Sequence, residues 1–192
     1  MKAIHLKTCA STMDEARILI DKGEPVPFYL YADRQSKGRG QYGKSWESYE
    51  GNLFLSVVIR GGAVKEPALL SLTVGLAVAE ALLKKGLQPN LVWPNDVLIG
   101  GAKPAGILIE EHGGAFVAGV GLNLNAPAGP TTLEDGRLIN SVSFHTKKFE
   151  DPGQWAAVLT DAIIERIDLG EEAILPNWRG FSAPHPVGEM AK

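Results

Sequence analysis

A chain of 192 residues with 45% hydrophobic and 21% charged residues is long enough for a sizeable core and ordinary for a globular protein. Its net charge of −3 supplies no broad basic field, which argues against a nucleic-acid-binding surface. A single cysteine, Cys9, excludes an internal disulfide framework and fits a reducing compartment.

The first residues lack the long apolar core of a secretory signal, and residues 3–7 read as a short opening strand. Ser11-Thr12-Met13-Asp14-Glu15 reads as a helix start. Thr12 caps, Glu15 completes a capping box, and Asp14 and Glu15 suit the positive end of the helix dipole. That helix runs to Gly23. Capping alone accounts for Ser11 and Thr12, although a helix N-terminus also offers donors to a ligand.

Residues 27–32, rich in β-formers, predict a strand. A basic glycine loop follows, Gln35-Ser36-Lys37-Gly38-Arg39-Gly40-Gln41-Tyr42-Gly43-Lys44-Ser45-Trp46. Its glycines allow close backbone approach or positive φ. Its cations, interleaved with exposed amides, suit a phosphate or carboxylate, and Trp46 can act as an apolar lid. A solvated hairpin connection is the plain alternative. Residues 52–60 are almost wholly apolar and predict a central strand.

A helix is expected from about Pro67 to Lys85, apolar nearly all round, as a helix buried on a sheet would be. Its most apolar part, residues 68–83, is interrupted by Ser71, Thr73 and Glu80 and falls short of the roughly 20 residues of a membrane span. The expectation is a soluble, cytoplasmic protein without a membrane partner. Residues 90–93, 97–99, 107–111 and 116–122 then predict four short strands joined by glycine turns, an antiparallel meander. Residues 131–150 read as irregular, with 141–144 a short recognition or packing segment. Residues 152–169 predict an amphipathic helix.

Two polar clusters interrupt the meander: Trp93-Pro94-Asn95-Asp96 and Lys103-Pro104-Ala105-Gly106. Lys103 can meet a carboxylate or phosphate, or be a solvated turn lysine. Asn95 and Asp96 can hold ribose or a phosphate-bridging Mg²⁺, or form an ordinary turn. Asn123 can bond a nucleotide or end a strand. Each plain reading is adequate alone; together the pieces fit adenylate chemistry, in which an acid attacks the α-phosphate of ATP. No G-x-S-x-G or Walker A string occurs, and the four histidines show no zinc spacing.

The order of Ser11-Thr12-Met13, the loop 35–46, Asn52-Leu53-Phe54-Leu55-Ser56, Trp93-Pro94-Asn95-Asp96, Lys103-Pro104-Ala105-Gly106-Ile107-Leu108 and Gly119-Val120-Gly121-Leu122-Asn123 resembles the catalytic domain of the biotin protein ligases, over about residues 3–169. The resemblance implies an α/β fold of α+β type, a mixed and largely antiparallel sheet flanked by helices, like the class II synthetases. It implies ATP, Mg²⁺ and biotin as reactants. The activity is synthesis of biotinyl-5′-AMP and transfer of biotin to a lysine of a biotin carboxyl carrier protein.

By the same resemblance, Ser11, Thr12, Met13, Gln35, Gly38, Arg39, Gly40, Gln41, Lys103 and Gly106 would contact biotin. Arg39, Lys44, Trp46, Asn95, Lys103 and Asn123 would contact the nucleotide, and Asp96 the Mg²⁺. Lys103 and Arg39 would be catalytic. The family loop usually reads Gly-Arg-Gly-Arg, and Gln41 stands at the second arginine, which predicts weaker retention of the adenylate. A lipoate or octanoate ligase of the same superfamily and a non-catalytic biotin-binding module are the alternatives. Residues 1–170 would form the catalytic domain and 171–192 a tail or remnant of the family's small β-domain. No DNA partner is expected, and a homodimer is open.

Overall fold

The computed structural model describes residues 1–182, so residues 183–192 of the expected tail lie outside the described residues. Seven strands make the main sheet: β1 (Lys2–Cys9), β2 (Phe28–Gln35), β3 (Leu53–Arg60), β4 (Pro89–Val92), β5 (Asp96–Ile99), β6 (Ala102–His112) and β7 (Ala115–Leu122). Their order is β1-β2-β3-β7-β6-β5-β4. Strands β1 and β2 are parallel and every other neighbour is antiparallel. A short pair, β8 (Thr131–Thr132) and β9 (Leu138–Ile139), extends the sheet where Ile139 pairs with Lys103. The helices are α1 (Thr12–Asp21), α2 (Leu70–Lys84), α3 (Val142–Thr146), α4 (Pro152–Ile164) and α5 (Glu171–Phe181).

The expected mixed, largely antiparallel sheet with flanking helices is the observed architecture. The meander β4–β7 forms because two glycine pairs turn the chain within two residues. Gly100 and Gly101, then Gly113 and Gly114, all have positive φ, the geometry that matches the right-handed twist of adjoining strands.

The two faces of the sheet carry different side chains. Leu53, Leu55, Val57 and Ile59 of β3, with Val120 and Leu122 of β7, point to one face, where α2, α4 and α5 bury them. Val58 and Val117 point to the other, where α1 packs through Met13 and Ala16. By composition Pro67–Lys84 is long and apolar enough to cross a membrane. Its Leu72, Val74, Leu76 and Val78 are buried in the core beneath the sheet, as in a core helix.

Several boundaries differ from expectation. Thr12 is not the cap of α1: Ser11 takes that place and makes no side-chain capping bond, because its Oγ accepts from Arg39 of the loop while Thr12 Oγ1 is engaged with Gln35 and Ser56. Strand β6 starts at Ala102 rather than near residue 107, so Lys103 lies within it, since the Gly100-Gly101 pair completes the reversal just before. Helix α2 starts three residues late, after a 3-10 turn at Pro67–Leu69, and α4 ends at Ile164 rather than near residue 169. The stretch 131–150 contains β8, β9 and α3. Its order comes from pairing with β6, a contact with no local sequence signal. Residues 171–181 form α5, which lays Ile174 in the core and Leu175, Trp178 and Phe181 against it.

One buried asparagine ties the end of β7 to the start of β3. Asn52, fully buried, donates to Asn123 Oδ1 at 3.1 Å and the Ala126 carbonyl at 2.7 Å. Its Oδ1 accepts from the backbone N–H groups of Asn125 and Ala126 at 3.0 and 2.9 Å. Asn52→Ala strands several buried polar partners at once, so a loss of about 2–4 kcal/mol in chemical denaturation is expected. A loss below about 1 kcal/mol would show that water replaces those bonds.

Candidate active site

The cavity exists because one face of three adjacent strands is nearly bare. Phe54, Gly121 and Gly106 stand opposite one another across β3, β7 and β6, and Ser56, Gly119 and Leu108 form the next row. Helix α1 covers the second row: a Cβ on Gly119 would meet Met13 Sδ at 2.6 Å. The glycines of the first row lie beneath the indole of Trp46, and a Cβ on Gly106 would meet its Cζ3 at 2.8 Å. Above this floor the cavity is about 240 Å³.

At one end is the start of α1. The Thr12 N–H and Oγ1 both donate to Gln35 Oε1, at 2.8 and 3.1 Å, and Ser56 Oγ donates to Thr12 Oγ1 at 2.9 Å. Burial makes these bonds a fixed wall of neutral polar groups. Glycine-rich residues 38–46 close the roof as a narrow hairpin. Gly40 N–H donates to the Lys44 carbonyl at 2.8 Å and Trp46 N–H to the Gly38 carbonyl at 3.0 Å.

The other end is charged. Lys103 Nζ is 2.5 Å from Asp96 Oδ1 and 5.6 Å from the centroid of the Trp46 ring, a cation–π distance. Asn95 is fixed by its Nδ2, which donates to the Ile107 carbonyl at 2.9 Å. The turn carrying it is held by Ser71 Oγ, which donates to the Pro94 carbonyl at 3.0 Å. Among the described residues four cations line the cavity, Arg39, Lys44, Lys103 and Arg137, with Asp96 the one lining carboxylate; Glu110 and Asp14 pair with Arg39, and Asp135 with Arg137, from behind the wall. Such an excess suits a polyanion. Trp46 Nε1 is buried without a hydrogen-bond partner among the described residues, leaving an indole donor for a bound group.

Arg39 is the most constrained of the cations. Partial burial opposes its charge, but hydrogen bonds and attraction from Glu110, joined by Asp14, outweigh that and raise its pKa above the usual value. Cys9 lies outside the cavity lining. Burial, then Glu15 and Asp14, push its thiol up to about 11, so the thiolate is scarce at neutral pH.

Of the residues singled out from sequence, Ser11, Thr12, Met13, Gln35, Arg39 and Gly40 line the cavity, as do Gln41, Lys44, Trp46, Asn95, Asp96, Lys103 and Gly106. Two expected residues do not. Gly38 lies beneath the Trp46 carbonyl, where a Cβ would come within 2.7 Å, so it serves the hairpin crossing. Asn123 is buried and bonded to Asn52. It faces a smaller hollow behind Trp46. The cavity is also lined by Phe54, Trp93, Gly119 and Gly121, which stand in the sequence motifs without an expected site role, and by Arg137, which the sequence reading missed. Glycines at every second position of a strand were the available signal for a bare face. Arg137 has no such signal, since the pairing of β9 with β6 brings it in.

The family model for the biotin/lipoate A/B protein ligases matches residues 9–126. The bifunctional ligase/repressor BirA of Bacillus spizizenii is 31% identical over 142 residues, covering 69% of this chain and 44% of that protein. The biotin–[acetyl-CoA-carboxylase] ligase of Paracoccus denitrificans is 36% identical over 145 residues, covering 70% of this chain and 60% of that protein. The chain thus spans about half the length of the curated relatives it matches. Among solved structures, biotin protein ligase from Aquifex aeolicus in complex with biotin and ATP superposes with a TM-score of 0.79 at 29% identity, covering 93% of this chain and 75% of that one. Biotin protein ligase from Leishmania major in complex with biotinyl-5-AMP reaches 0.86 at 22% identity, covering 95% and 81%, a likeness of fold.

Proposed function

From the premise that the chain belongs to the biotin/lipoate A/B protein ligase family, we propose that it activates biotin with ATP and transfers the biotin to a lysine of a biotin carboxyl carrier protein. In the first step a biotin carboxylate oxygen bonds to the α-phosphorus of ATP, and pyrophosphate leaves with the electrons of the broken P–O bond. In the second, a neutral lysine amine bonds to the acyl carbon, AMP leaves, and the amine loses a proton. The observation that carries this reading is one cavity whose neutral polar end, at Thr12 and Gln35, runs over a glycine floor to a cationic end at Lys103.

In this reading the Thr12–Gln35–Ser56 wall holds the uncharged ring end of the acid. Lys103 meets the carboxylate and the α-phosphate, exchanging Asp96 for the charge that builds in the transition state. Arg39 and Lys44 in the roof hold the anion and keep water out. Asn95 and the indole of Trp46 flank the nucleotide.

Asp96 is the one cavity carboxylate, and no group of three or more His, Cys, Asp or Glu that could hold a metal occurs among the described residues. That donor set fits a Mg²⁺ that the nucleotide would bring, with Asp96 as the residue that would hold it. When bound, the metal would neutralise phosphate charge. The reading needs neither DNA nor a membrane and assigns the protein to the cytoplasm.

Similarity to relatives named for biotin supports this acid over lipoate. Acid-dependent ATP–pyrophosphate exchange tests the choice. Biotin is expected to drive exchange while lipoate and octanoate stay at background. Exchange with the linear acids would replace biotin as substrate. Silence with all three acids despite measurable biotin binding would leave a binding module.

A further inference from the structure

Arg39 has three partners, and they hold it unevenly. Its Nε and Nη2 donate to Oε1 and Oε2 of Glu110 at 3.2 and 3.1 Å, a two-point fork that fixes the guanidinium plane. Its Nη1 lies 2.8 Å from Asp14 Oδ1 and donates to Ser11 Oγ at 3.2 Å. Glu110 is anchored from a second side by Arg17, whose Nη2 is 2.6 Å from Oε2, and its side chain is only 20% exposed. Asp14 is 41% exposed, and its other ion-pair contact is a 4.0 Å approach to Arg17. Ser11 and Arg39 line the cavity, whereas Asp14 and Glu110 stand behind them.

One corner of the guanidinium, Nη1, therefore sits at the cavity wall beside Ser11 and is held by a loosely anchored carboxylate. The opposite edge is gripped by a firmly anchored one. We propose that Glu110 is a positioning residue that holds the roof loop shut through Arg39. Asp14 is an internal stand-in for the substrate's anion, occupying Nη1 until a carboxylate or phosphate takes its place. The identity of that anion rests on the ligase reading; the latch itself does not.

The two acids then act with opposite sign. Asp14 competes with the incoming anion for Nη1 and repels it at short range. Removing its charge leaves Nη1 free while Glu110 still orients the guanidinium. Removing the charge of Glu110 leaves Arg39 held only at Nη1, by the loosely anchored Asp14 and by Ser11, and the roof loses its charged tie to β6. The bare flexibility of a glycine-rich hairpin then dominates.

The experiment compares Asp14→Asn and Glu110→Gln in the full chain, with matched melting temperatures as the control for folding. By calorimetry Asp14→Asn is expected to tighten biotin binding about threefold to tenfold, the effect of deleting one partly exposed like charge. Glu110→Gln is expected to weaken biotin binding and to raise the dissociation rate of preformed biotinyl-adenylate about tenfold, as loss of a charge-assisted fork would. With no ligand present, tryptic cleavage after Lys37 and Lys44 should speed up several-fold in Glu110→Gln, and about as much in Arg39→Lys, which keeps the charge but loses the fork.

Biotin affinities that move in the same direction in the two variants, or a cleavage rate unchanged in both Glu110→Gln and Arg39→Lys, would overturn the proposal. If Glu110→Gln does not fold, Arg39→Lys alone decides the latch. Wild-type protein without biotin-dependent exchange, but with faster cleavage in the variants, would defeat the ligase reading and leave the latch standing. Normal exchange with unchanged cleavage would do the reverse.

Discussion

Lys103→Ala is expected to slow biotin-dependent ATP–pyrophosphate exchange by about 10²–10³-fold, the usual cost of deleting one preorganised group that meets developing charge. Biotin affinity should fall by less than about tenfold, because the neutral wall at Thr12 and Gln35 lies at the other end of the cavity. The ammonium is well placed for such a split. It stands 2.5 Å from Asp96 with its side chain only 14% exposed, and its stem lies against Gly106, where a Cβ would meet Cε at 3.2 Å.

Removing Lys103 has a second consequence, because Asp96 is left as an unpaired negative charge where the phosphate must go. A Lys103→Ala/Asp96→Asn double variant should therefore recover part of the ATP affinity in Mg²⁺-free buffer, where Asp96 has no metal to hold, though not the rate. Lys103→Arg keeps the charge but widens the head group against Gly106, and is expected to stay slow. The measurement is exchange rate and biotin affinity on the same preparation. Exchange within twofold of wild type in Lys103→Ala would remove Lys103 from the chemistry.

The second large effect concerns a residue with no side chain. Gly121→Ala places a Cβ inside the indole of Trp46, 2.7 Å from both Cζ2 and Nε1. The ring cannot slide along the floor to make way, since the same indole rests on Gly106 and its backbone is tied to Gly38. The expected result is expulsion of Trp46 from the cavity floor, with exchange reduced by more than about 100-fold through loss of alignment. Overpacking should cost about 1–3 kcal/mol of stability.

Tryptophan emission gives an independent reading, because an expelled indole moves into water and its spectrum shifts to the red. Gly62→Ala is the matched control: nothing lies within 4 Å of its Cβ position, so it should behave as wild type. A fully active Gly121→Ala with unshifted emission would mean that the floor is not as tight as the packing indicates.

The strands and main helices are legible in the sequence because their signals are local. The apolar run of β3, the glycine pairs around β6 and the proline-led start of α4 each act within a few residues. Asp151, whose side chain accepts from the N–H groups of Gly153 and Gln154, caps α4 just before its leading proline. The capping expectation at Thr12 failed for the opposite reason. Its hydroxyl has better partners 23 and 44 residues away, in Gln35 and Ser56, and only the sheet brings them near.

The same contrast runs through the cavity. The motifs that line it, including the basic glycine loop and the Lys103 segment, stand in the chain in recognisable order, because each needs particular residue types at close spacing. What the loop cations are paired with does not follow from spacing. Arg39 finds Glu110 from 71 residues away, and Arg137 reaches the cavity from the residue just before β9, which pairs with β6 through Ile139 and Lys103.

By itself, then, the amino-acid order determined the main strands and helices, the glycine turns and the set of polar groups that a small acid and a nucleotide would require. The tertiary structure alone decided which carboxylate restrains which cation, and which glycines lie bare beneath Trp46. Those outcomes depend on strand register and on the packing of α1. Both are set by contacts between distant residues, and no local pattern encodes them.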